Sequence, residues 1–321
     1  MEGPIPLISI VVILFNMDRE GRRTLYSLST RYQTGVRDTD YEVVVVDNGS
    51  TPPFPAAYVE SLGENFTYIL VDDARPSPAS AINLGVRRSR GEYVGTMIDG
   101  ARMLTPGMLR YVARAVRAFE HPVVTSPAWH LGPDLQRRAI KSGYTKEAED
   151  ALLAGIGWPD DGYRLFEIGT PAASSNDGWF LPMGDSSCLF MARSDYERIG
   201  GYDERFDAPG GGLVSHDTYR RACALDDTEL VVLLGEGTFH QLHGGISTGA
   251  SEERFADAYR AWSEQYRALR GEPHTRPAKA AHFLGHVPPQ ARHALLVSAE
   301  KLAAHGRAAS SQRSEEAKAE S

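Results

Sequence analysis

Cysteine is scarce in this sequence. Its 321 residues include only two, Cys188 and Cys223, and their separation matches no zinc-binding spacing. A secreted scaffold held by disulfides needs a far higher density of cysteine. We therefore expect both thiols to be structural residues of a protein that works in a reducing compartment.

Long hydrophobic runs are also missing. The run "LISIVVILF" (7–15) has roughly half the length of a membrane-spanning helix, and no other segment is long enough to cross a bilayer. Glu2 stands where a signal peptide would carry positive charge. The sequence thus predicts a cytoplasmic protein without a transmembrane segment, and leaves open an association with a membrane surface.

The chain lacks an excess of positive charge. It has 34 Lys and Arg residues against 42 Asp and Glu residues, which gives a net charge of -8. This balance argues against a surface built to bind nucleic acid or anionic lipid, although a local basic patch for a phosphorylated ligand is compatible with it. We expect the partner to be a small molecule or a neutral polymer.

What the sequence does contain, in its first hundred residues, is a set of short apolar runs rich in β-branched residues. Such runs are typical of strands that are covered on both faces. The runs occupy residues 7–16, 41–50, 66–73 and 92–100. Segments with helical character lie between them, so the alternation predicts an α/β fold with a Rossmann-like, mostly parallel sheet flanked by helices.

The four runs end in polar residues. These residues are Asn16, Asp47, Asp72 with Asp73, and Asp99. In an open parallel sheet the carboxyl ends of the strands meet at one edge, and ligands bind there. The polar ends are therefore expected to converge on a ligand site.

The rest of the chain predicts three segments. Residues 1–120 would form a first subdomain that carries the ligand edge, and residues 121–250 a second, loop-rich subdomain. Residues 251–321 would form a C-terminal extension, with helices at 251–270 and 289–305 and a disordered tail from residue 310. The second of these helices would pack on the domain or mediate a homodimer, and the sequence does not decide between the two.

Four motifs stand in order along the chain: "SIVVILFN", "VVVVDNGS", "NLGVRRSRGEYVGTMIDG", and "RIGGYDERFDAPGGGLVSHDTYRRA" followed by "GEGTFHQLHGG". In this order and spacing the sequence resembles the family-2 glycosyltransferases of the GT-A fold, over roughly residues 7–250. The resemblance implies transfer of a sugar from a nucleotide-diphosphate sugar to a saccharide or other hydroxyl acceptor, with inversion, as in polysaccharide or glycoconjugate synthesis. It also implies that residues 1–120 are the nucleotide-sugar-binding subdomain and that residues 121–250 are the acceptor-binding and catalytic subdomain, the acceptor lobe.

The resemblance places the nucleotide at the ends of the first two strands, on Asn16 and Asp47. A competing interpretation is that "DNGS" forms only a turn, which Asp, Asn and Gly favour for backbone reasons. Asn83 is a further nucleotide candidate, although Ile82 stands where the family has an arginine. The alternative for Asn83 is an amide on a helix surface.

Asp99 corresponds to the first acid of the family's Asp-x-Asp metal motif, but position 101 is alanine. The resemblance implies Mn²⁺ or Mg²⁺ on the donor diphosphate, and one carboxylate can suffice for such an ion. His240 and His243 are candidates for the missing ligand, because imidazole suits manganese. Arg102 offers another route, since a guanidinium can take up charge on the diphosphate.

The segment "GGGLVSHDTYRRA" resembles the family's Gly-rich acceptor loop and acid pair. His216 replaces the first acid and Asp217 is retained, so Asp217 is the predicted general base for the acceptor hydroxyl. Asp217 also suits a structural role as a helix N-cap. His216 is predicted to orient the acceptor or to tune Asp217.

The acceptor lobe supplies candidates for contacts with sugars. Trp179 is predicted to stack on a sugar face, and Asp185 with Ser186 to bond sugar hydroxyls. In a loop-rich lobe a tryptophan is more often part of the local core.

Three other functions compete with transfer. A degenerate member of the family would bind the nucleotide sugar without transferring it, as Ile82, Ala101 and His216 suggest. A nucleotidyltransferase would need a Gly- and Lys-rich loop after the first strand, where the chain has "FNMDREGRR". A Rossmann dehydrogenase is disfavoured because that turn lacks a GxGxxG motif.

Overall fold

The computed structural model describes residues 5–245 and 251–319. Within them the chain forms twelve strands. In chain order these are β1 (Ile8–Leu14), β2 (Tyr41–Asp47), β3 (Phe66–Leu70), β4 (Tyr93–Met97), β5 (Arg102–Leu104), β6 (Pro122–Thr125), β7 (Ala128–Leu131), β8 (Gly169–Pro171), β9 (Leu189–Ala192), β10 (Glu229–Leu234), β11 (Thr238–His240) and β12 (Ala281–Gly285).

Ten α-helices connect or cover these strands in the described residues. They are α1 (Asp18–Leu28), α2 (Ala56–Glu60), α3 (Ala79–Arg88), α4 (Met108–Ala118), α5 (Gln136–Lys141), α6 (Lys146–Gly155), α7 (Arg193–Arg198), α8 (Val214–Ala224), α9 (Glu252–Arg270) and α10 (Arg292–Ala319). Short 3₁₀ helices lie at Gly162–Glu167, Ala173–Ser175, Pro209–Gly211 and Pro289–Ala291.

Eight strands form the main sheet, in the order β12-β10-β6-β9-β4-β1-β2-β3. Neighbours run parallel except at β9, which is antiparallel to both β4 and β6. The four apolar runs of the sequence are β1 to β4, which confirms the predicted mostly parallel α/β sheet. The sheet takes strands from all three segments that the sequence predicted.

Both faces of the main sheet are buried, which explains why its central strands are apolar at every position. On β1, Val11 and Ile13 join one core cluster together with Ile82 of α3. The alternate residue Val12 joins the other cluster together with Leu25 of α1. The period of two in a strand sends successive side chains to opposite faces, and helices cover each face.

A second, four-stranded sheet has the order β5-β11-β7-β8. In its register His240 of β11 lies opposite Arg102 of β5 and opposite His130 of β7. β5 begins three residues after Asp99, so the chain passes directly from the end of β4 into this sheet. The second sheet thus carries a row of three basic side chains next to the predicted metal motif.

The C-terminal part adds two long helices. α9 packs its Trp262 against the Gly-rich loop, where a Cβ on Gly212 would lie 3.0 Å from the indole ring. α10 continues to Ala319 where the sequence predicted a disordered tail, and its Ala-, Glu- and Lys-rich composition favours helix. Within residues 5–245 and 251–319, no helix combines the length and the apolar composition that crossing a bilayer requires.

Candidate active site

A cavity of about 1130 Å³ opens at the carboxyl edge of the main sheet. The segments that follow β1, β2, β3 and β4 line it with Asn16, Asn48, Arg75 and Asp99, respectively. This is the edge at which an open parallel sheet binds its ligands. Another part of its wall comes from the Gly-rich loop before α8 and from α9.

Asp99, His240 and His243 meet at this cavity. Oδ2 of Asp99 lies 2.7 Å from Nε2 of His240 and 3.5 Å from Nε2 of His243, and the two imidazole nitrogens are 3.1 Å apart. The ligand atoms of all three residues lie within 4.8 Å of one another. One carboxylate oxygen and two imidazole nitrogens form a donor set that suits manganese or another transition ion better than magnesium.

Gln136, at the start of α5, fixes the ring of His240. Its Oε1 lies 2.8 Å from Nδ1 of His240, and its Nε2 donates to the carbonyl oxygen of the same residue at 2.9 Å. Because an amide oxygen only accepts, Nδ1 carries the proton and Nε2 of the neutral ring is left as the ligand atom. This arrangement is the usual support for a metal-binding histidine.

The electrostatics of Asp99 and His240 suit a cation, whereas Asp99 favours the protonated form of His243, whose proton a metal ion would have to displace. Burial alone would raise the pKa of Asp99, but the imidazoles of His243 and His240 outweigh it and hold the pKa well below its usual range. Burial lowers the pKa of His240 to about 4, although Asp99 acts in the other direction. Burial also opposes protonation of His243, yet Asp99 raises its pKa. An ionised carboxylate and a neutral imidazole are the forms that bind metal ions.

Position 101 does not face the cavity. Ala101 is fully buried, and its backbone N–H donates to Oδ1 of Asp99 at 3.0 Å. A second acid there would enter the core rather than join the cluster. The two histidines stand at the cavity instead, next to the retained acid.

Arg102 also lines the cavity. Its Nε and Nη1 are buried and have no hydrogen-bond partner within the described part of the chain. A buried guanidinium with free donors is costly unless an anion completes it. Arg102 and the carboxylate–histidine cluster therefore adjoin one space, and that space suits an anion that also binds a metal ion.

Asn16 and Asp47 have different surroundings. Asn16 is exposed in the cavity and has a left-handed backbone, with a φ of 52°, while its Oδ1 accepts from the N–H of Thr51 at 2.8 Å. Asp47 is fully buried and accepts from the N–H of Ser50 and Phe54 at 2.8 and 2.7 Å. It does not line the cavity, and its geometry is that of the turn, contrary to the nucleotide contact that the sequence predicted.

Asn48, the residue after Asp47, lines the cavity in its place. Its Nδ2 donates to the carbonyl oxygen of Arg75 at 2.9 Å, and its Oδ1 is buried without a partner among the described residues. Gly49 extends the same wall. The sequence predicted a ligand contact at this turn, and the structure places the amide of Asn48 rather than the carboxylate of Asp47 on the cavity wall.

Asn83 does not reach the cavity, so the predicted nucleotide contact is corrected. Its Nδ2 donates to the carbonyl oxygen of Tyr202 at 2.8 Å and to Glu204 at 3.0 Å. Its Oδ1 accepts from the hydroxyl of Tyr196 at 2.6 Å and from the N–H of Tyr202. These hydrogen bonds tie α3 to α7 and to the segment that follows α7.

Asp217 differs most from its predicted role. It is fully buried in the first turn of α8, does not line the cavity, and accepts from Arg270 through both oxygens at 2.6 and 2.7 Å. Arg221, one turn later, donates to Oδ2 at 2.7 Å. A carboxylate whose two oxygens are both bonded to guanidinium groups and that lies away from the cavity cannot act as a general base for an acceptor hydroxyl, because the hydroxyl does not reach it. The neighbouring His216 does line the cavity.

The three predicted sugar contacts separate. Trp179 is 1% exposed, donates to the carbonyl oxygen of Leu233 at 2.9 Å and packs against Trp129, so it belongs to the core. Ser186 is buried and donates to the carbonyl oxygen of Cys188 at 3.0 Å. Asp185 lines the cavity, and its Oδ1 is buried without a partner among the described residues.

Sequence reasoning missed the residues that α9 brings to the cavity. Phe255, Tyr259 and Trp262 line it, and so does His274 after the helix. The aromatic residues follow the spacing i, i+4, i+7, which puts them on one helix face and is a signal that the sequence did carry. Gln136 had no comparable signal, since its role depends on a contact across 104 residues.

The sheet order, the ligand edge and the acid at the end of β4 together define a GT-A glycosyltransferase fold. The chain belongs to glycosyl transferase family 2, whose family model matches residues 9–199, more than half of the chain. That match ends before α8 and α9, so it leaves the wall with His216 and the aromatic residues outside it.

Among solved structures, the chain resembles S. aureus TarS, with 13% identity, a TM-score of 0.50, and coverage of 81% of this chain and 39% of that one. The TarS 1-349 complex with UDP-GlcNAc gives 13% identity, a TM-score of 0.50, and 81% and 66% coverage. The mannosyltransferase PcManGT from Pyrobaculum calidifontis, in complex with GDP-Man and Mn²⁺, has 19% identity and a TM-score of 0.45. The match covers 95% of this chain and 76% of that one.

This chain therefore spans less than two thirds of the length of the TarS chains. At these identities the likeness concerns the fold. A search of curated proteins found no match.

Proposed function

We propose that this protein transfers a sugar, with inversion, from a nucleotide-diphosphate sugar to an acceptor hydroxyl. The observation that carries the proposal is the meeting of Asp99, His240 and His243 with the unpartnered guanidinium of Arg102 at one cavity. A diphosphate with a bound metal ion satisfies both features at once.

Asp99, His240 and His243 would hold the metal ion, and Mn²⁺ fits this donor set better than Mg²⁺. When bound, such an ion supplies Lewis-acid stabilisation of the charge that develops on the departing diphosphate. Arg102 donates to the same diphosphate oxygens and acts independently of the ion. The missing acid at position 101 is thus replaced by imidazole at the metal and accompanied by a guanidinium at the phosphate.

The turn after β2 supplies the nucleotide contacts in this proposal. The free Oδ1 of Asn48 accepts the imide or amine hydrogen of the base, and the exposed Asn16 and Gly49 frame it. Amide oxygens serve uracil and guanine alike, so both UDP- and GDP-sugars are candidate donors. Asp185, with its free oxygen, accepts from a sugar hydroxyl.

The acceptor enters from the side of α9. Phe255, Tyr259 and Trp262 offer apolar ring faces to a sugar, and a saccharide acceptor accords with a cavity wall of aromatic residues. The acidic net charge of -8 accords with a neutral acceptor rather than with nucleic acid.

Isothermal titration calorimetry with UDP-GlcNAc and GDP-mannose, with Mn²⁺ and then with EDTA, tests the proposal. We expect one donor to bind with an affinity that Mn²⁺ increases, and Asp99→Ala to lose that increase. Asp226→Ala changes an exposed aspartate that lies away from the cavity and is the matched control. Binding that ignores both Mn²⁺ and Asp99→Ala contradicts the metal site.

A binding protein without transferase activity is the second candidate. The specific observation in its favour is Asp217, the family's acid, which is enclosed by Arg270 and Arg221. Release of the nucleoside diphosphate from the bound donor, with a panel of p-nitrophenyl glycosides as acceptors, separates the two candidates. Tight donor binding without release would favour the binding protein.

A further inference from the structure

The cavity needs a group that accepts a proton, and Asp217 is not on it. Inverting transfer requires a base beside the acceptor hydroxyl. Among the described residues at the cavity, Asp99, His240 and His243 form the metal cluster, and Nδ1 of His130 already accepts from the N–H of Gln136 at 3.0 Å. The other imidazole and carboxylate side chains at the cavity are those of Asp185, His216 and His274.

His216 stands on the wall where the acceptor enters. It lies in the first turn of α8, half-buried, directly before the enclosed Asp217. Its Nδ1 is 3.4 Å from Oγ of Ser215, and its Nε2 has no protein partner within the described part of the chain. The ion pairs of Asp217 hold the helix turn that presents this ring.

His274 supports the ring of His216. The two imidazoles make an edge-to-face contact, with centroids 5.1 Å apart and an interplanar angle of 85°. The ring of Tyr266 packs against His274, with centroids 5.3 Å apart. Burial lowers the pKa of His274 to about 4. His274 therefore stays neutral near pH 7 and adds no positive charge beside its neighbour.

We propose that His216 is the proton acceptor of the transfer, an inference that rests on the proposed function. The acceptor oxygen forms a bond to the anomeric carbon while the bond from that carbon to the diphosphate oxygen breaks. The electron pair of the broken bond leaves with the nucleoside diphosphate. The hydroxyl proton moves to the free ring nitrogen of His216, which becomes an imidazolium.

Asp185 completes this end of the cavity. Asp185 raises the pKa of His274, whereas His216 lowers it. The three groups are therefore neighbours. We assign proton transfer to His216 because it stands on the wall shared with the aromatic side chains, whereas Asp185 precedes β9 of the main sheet.

Donor turnover by His216→Ala tests the assignment. The donor that binds in calorimetry, UDP-GlcNAc or GDP-mannose, is incubated with Mn²⁺ and p-nitrophenyl glycosides, and release of the nucleoside diphosphate is measured. We expect kcat to fall by about 10²- to 10⁴-fold, the usual contribution of a general base, while the donor Kd stays unchanged. Added imidazole should restore turnover in proportion to its concentration, and His216→Glu should recover part of it.

His305→Ala, an exposed histidine on α10, is the matched control and should show neither loss nor rescue. Wild-type kcat in His216→Ala, or a loss that neither imidazole nor glutamate relieves, overturns the assignment. Loss of kcat in Asp185→Asn together with full kcat in His216→Ala would move the role to Asp185. If the wild-type protein binds and turns over neither donor, the proposed function itself fails, and this inference fails with it.

Discussion

At the scale of single residues, Gln136 and Arg102 have the most specific tasks. Gln136 sets the tautomer of His240 through a contact with Nδ1, and Arg102 has donors that the protein leaves free. The sequence predicted the role of Arg102, whereas the role of Gln136 depends on a tertiary contact between α5 and β11. The register aligns His240 with Arg102 across β5 and β11.

Gln136→Met should weaken Mn²⁺ binding by about 10- to 100-fold, because the ring of His240 loses the acceptor that fixes its tautomer and orientation. Titration of Mn²⁺ in the presence of saturating UDP, followed by the electron paramagnetic resonance signal of unbound Mn²⁺, measures this change. Gln290→Met, away from the cavity, should bind Mn²⁺ as the wild type does. Equal affinities in the two variants would contradict the assigned role of Gln136.

Arg102→Met should reduce the affinity for UDP by about 10- to 100-fold, since hydrogen bonds from a charged donor contribute about 1.5–3 kcal/mol. The loss should persist in EDTA, whereas Asp99→Ala should weaken UDP binding only when Mn²⁺ is present. Calorimetry of both variants under both conditions separates the two contributions. A loss in Arg102→Met that EDTA abolishes would mean that Arg102 acts only through the metal site.

At the scale of elements, the sequence predicts what a local pattern determines. β1 to β4 could be predicted because strands buried on both faces are apolar at nearly every position. The strands β5, β7, β8 and β11 have three or four residues each, too few for a period to show. The second sheet, and with it the row of basic side chains, therefore could not be predicted from the sequence.

The sequence predicted Asp217 as the general base for the acceptor hydroxyl, but in the structure its carboxylate is bonded to Arg221 and Arg270. The decisive contact joins α8 to α9 across 53 residues, where Arg270 bonds both oxygens of the carboxylate. Ion pairing with Asp217 raises the pKa of Arg270, so the guanidinium is charged at every accessible pH. Tertiary contacts of this length leave no local signal.

Asp217→Asn should therefore destabilise the protein by about 3 kcal/mol, because removing one partner of a buried ion pair leaves the other uncompensated. Urea denaturation measures this change. Asp226→Asn, at an exposed aspartate just after the end of α8, is the control. A variant that keeps wild-type stability but loses kcat would instead show that Asp217 is the general base.

At the scale of the whole molecule, Glu236 joins the two sheets. It stands between β10 of the main sheet and β11 of the second sheet. Thr105 donates to its Oε2 at 2.5 Å, and Tyr163 donates to its Oε1 at 2.7 Å. Thr105 does not cap α4, whose N-cap residue is Gly107.

Glu236 should give the stability of the fold a distinct pH dependence. Burial raises the pKa of Glu236 to about 7, against hydrogen bonds that lower it, from an ordinary value of 4.5. Between these values the folded protein binds more protons than the unfolded chain, so stability falls as the pH rises from 4.5 to 7 and then levels off. The shift corresponds to a loss of the order of 3 kcal/mol.

Glu236→Gln mimics the protonated side chain and removes the pH dependence of stability that Glu236 contributes. The variant should be more stable than the wild type at pH 8 and of similar stability at pH 4.5, because only the ionised carboxylate is penalised by burial. Urea denaturation across this range measures both curves, with Glu64→Gln, an exposed glutamate, as the control. If Glu236→Gln falls in stability between pH 4.5 and 7 as steeply as the wild type, another group titrates there. The carboxylate would then be ionised throughout, and the junction between the sheets would be held by charge rather than by a shared proton.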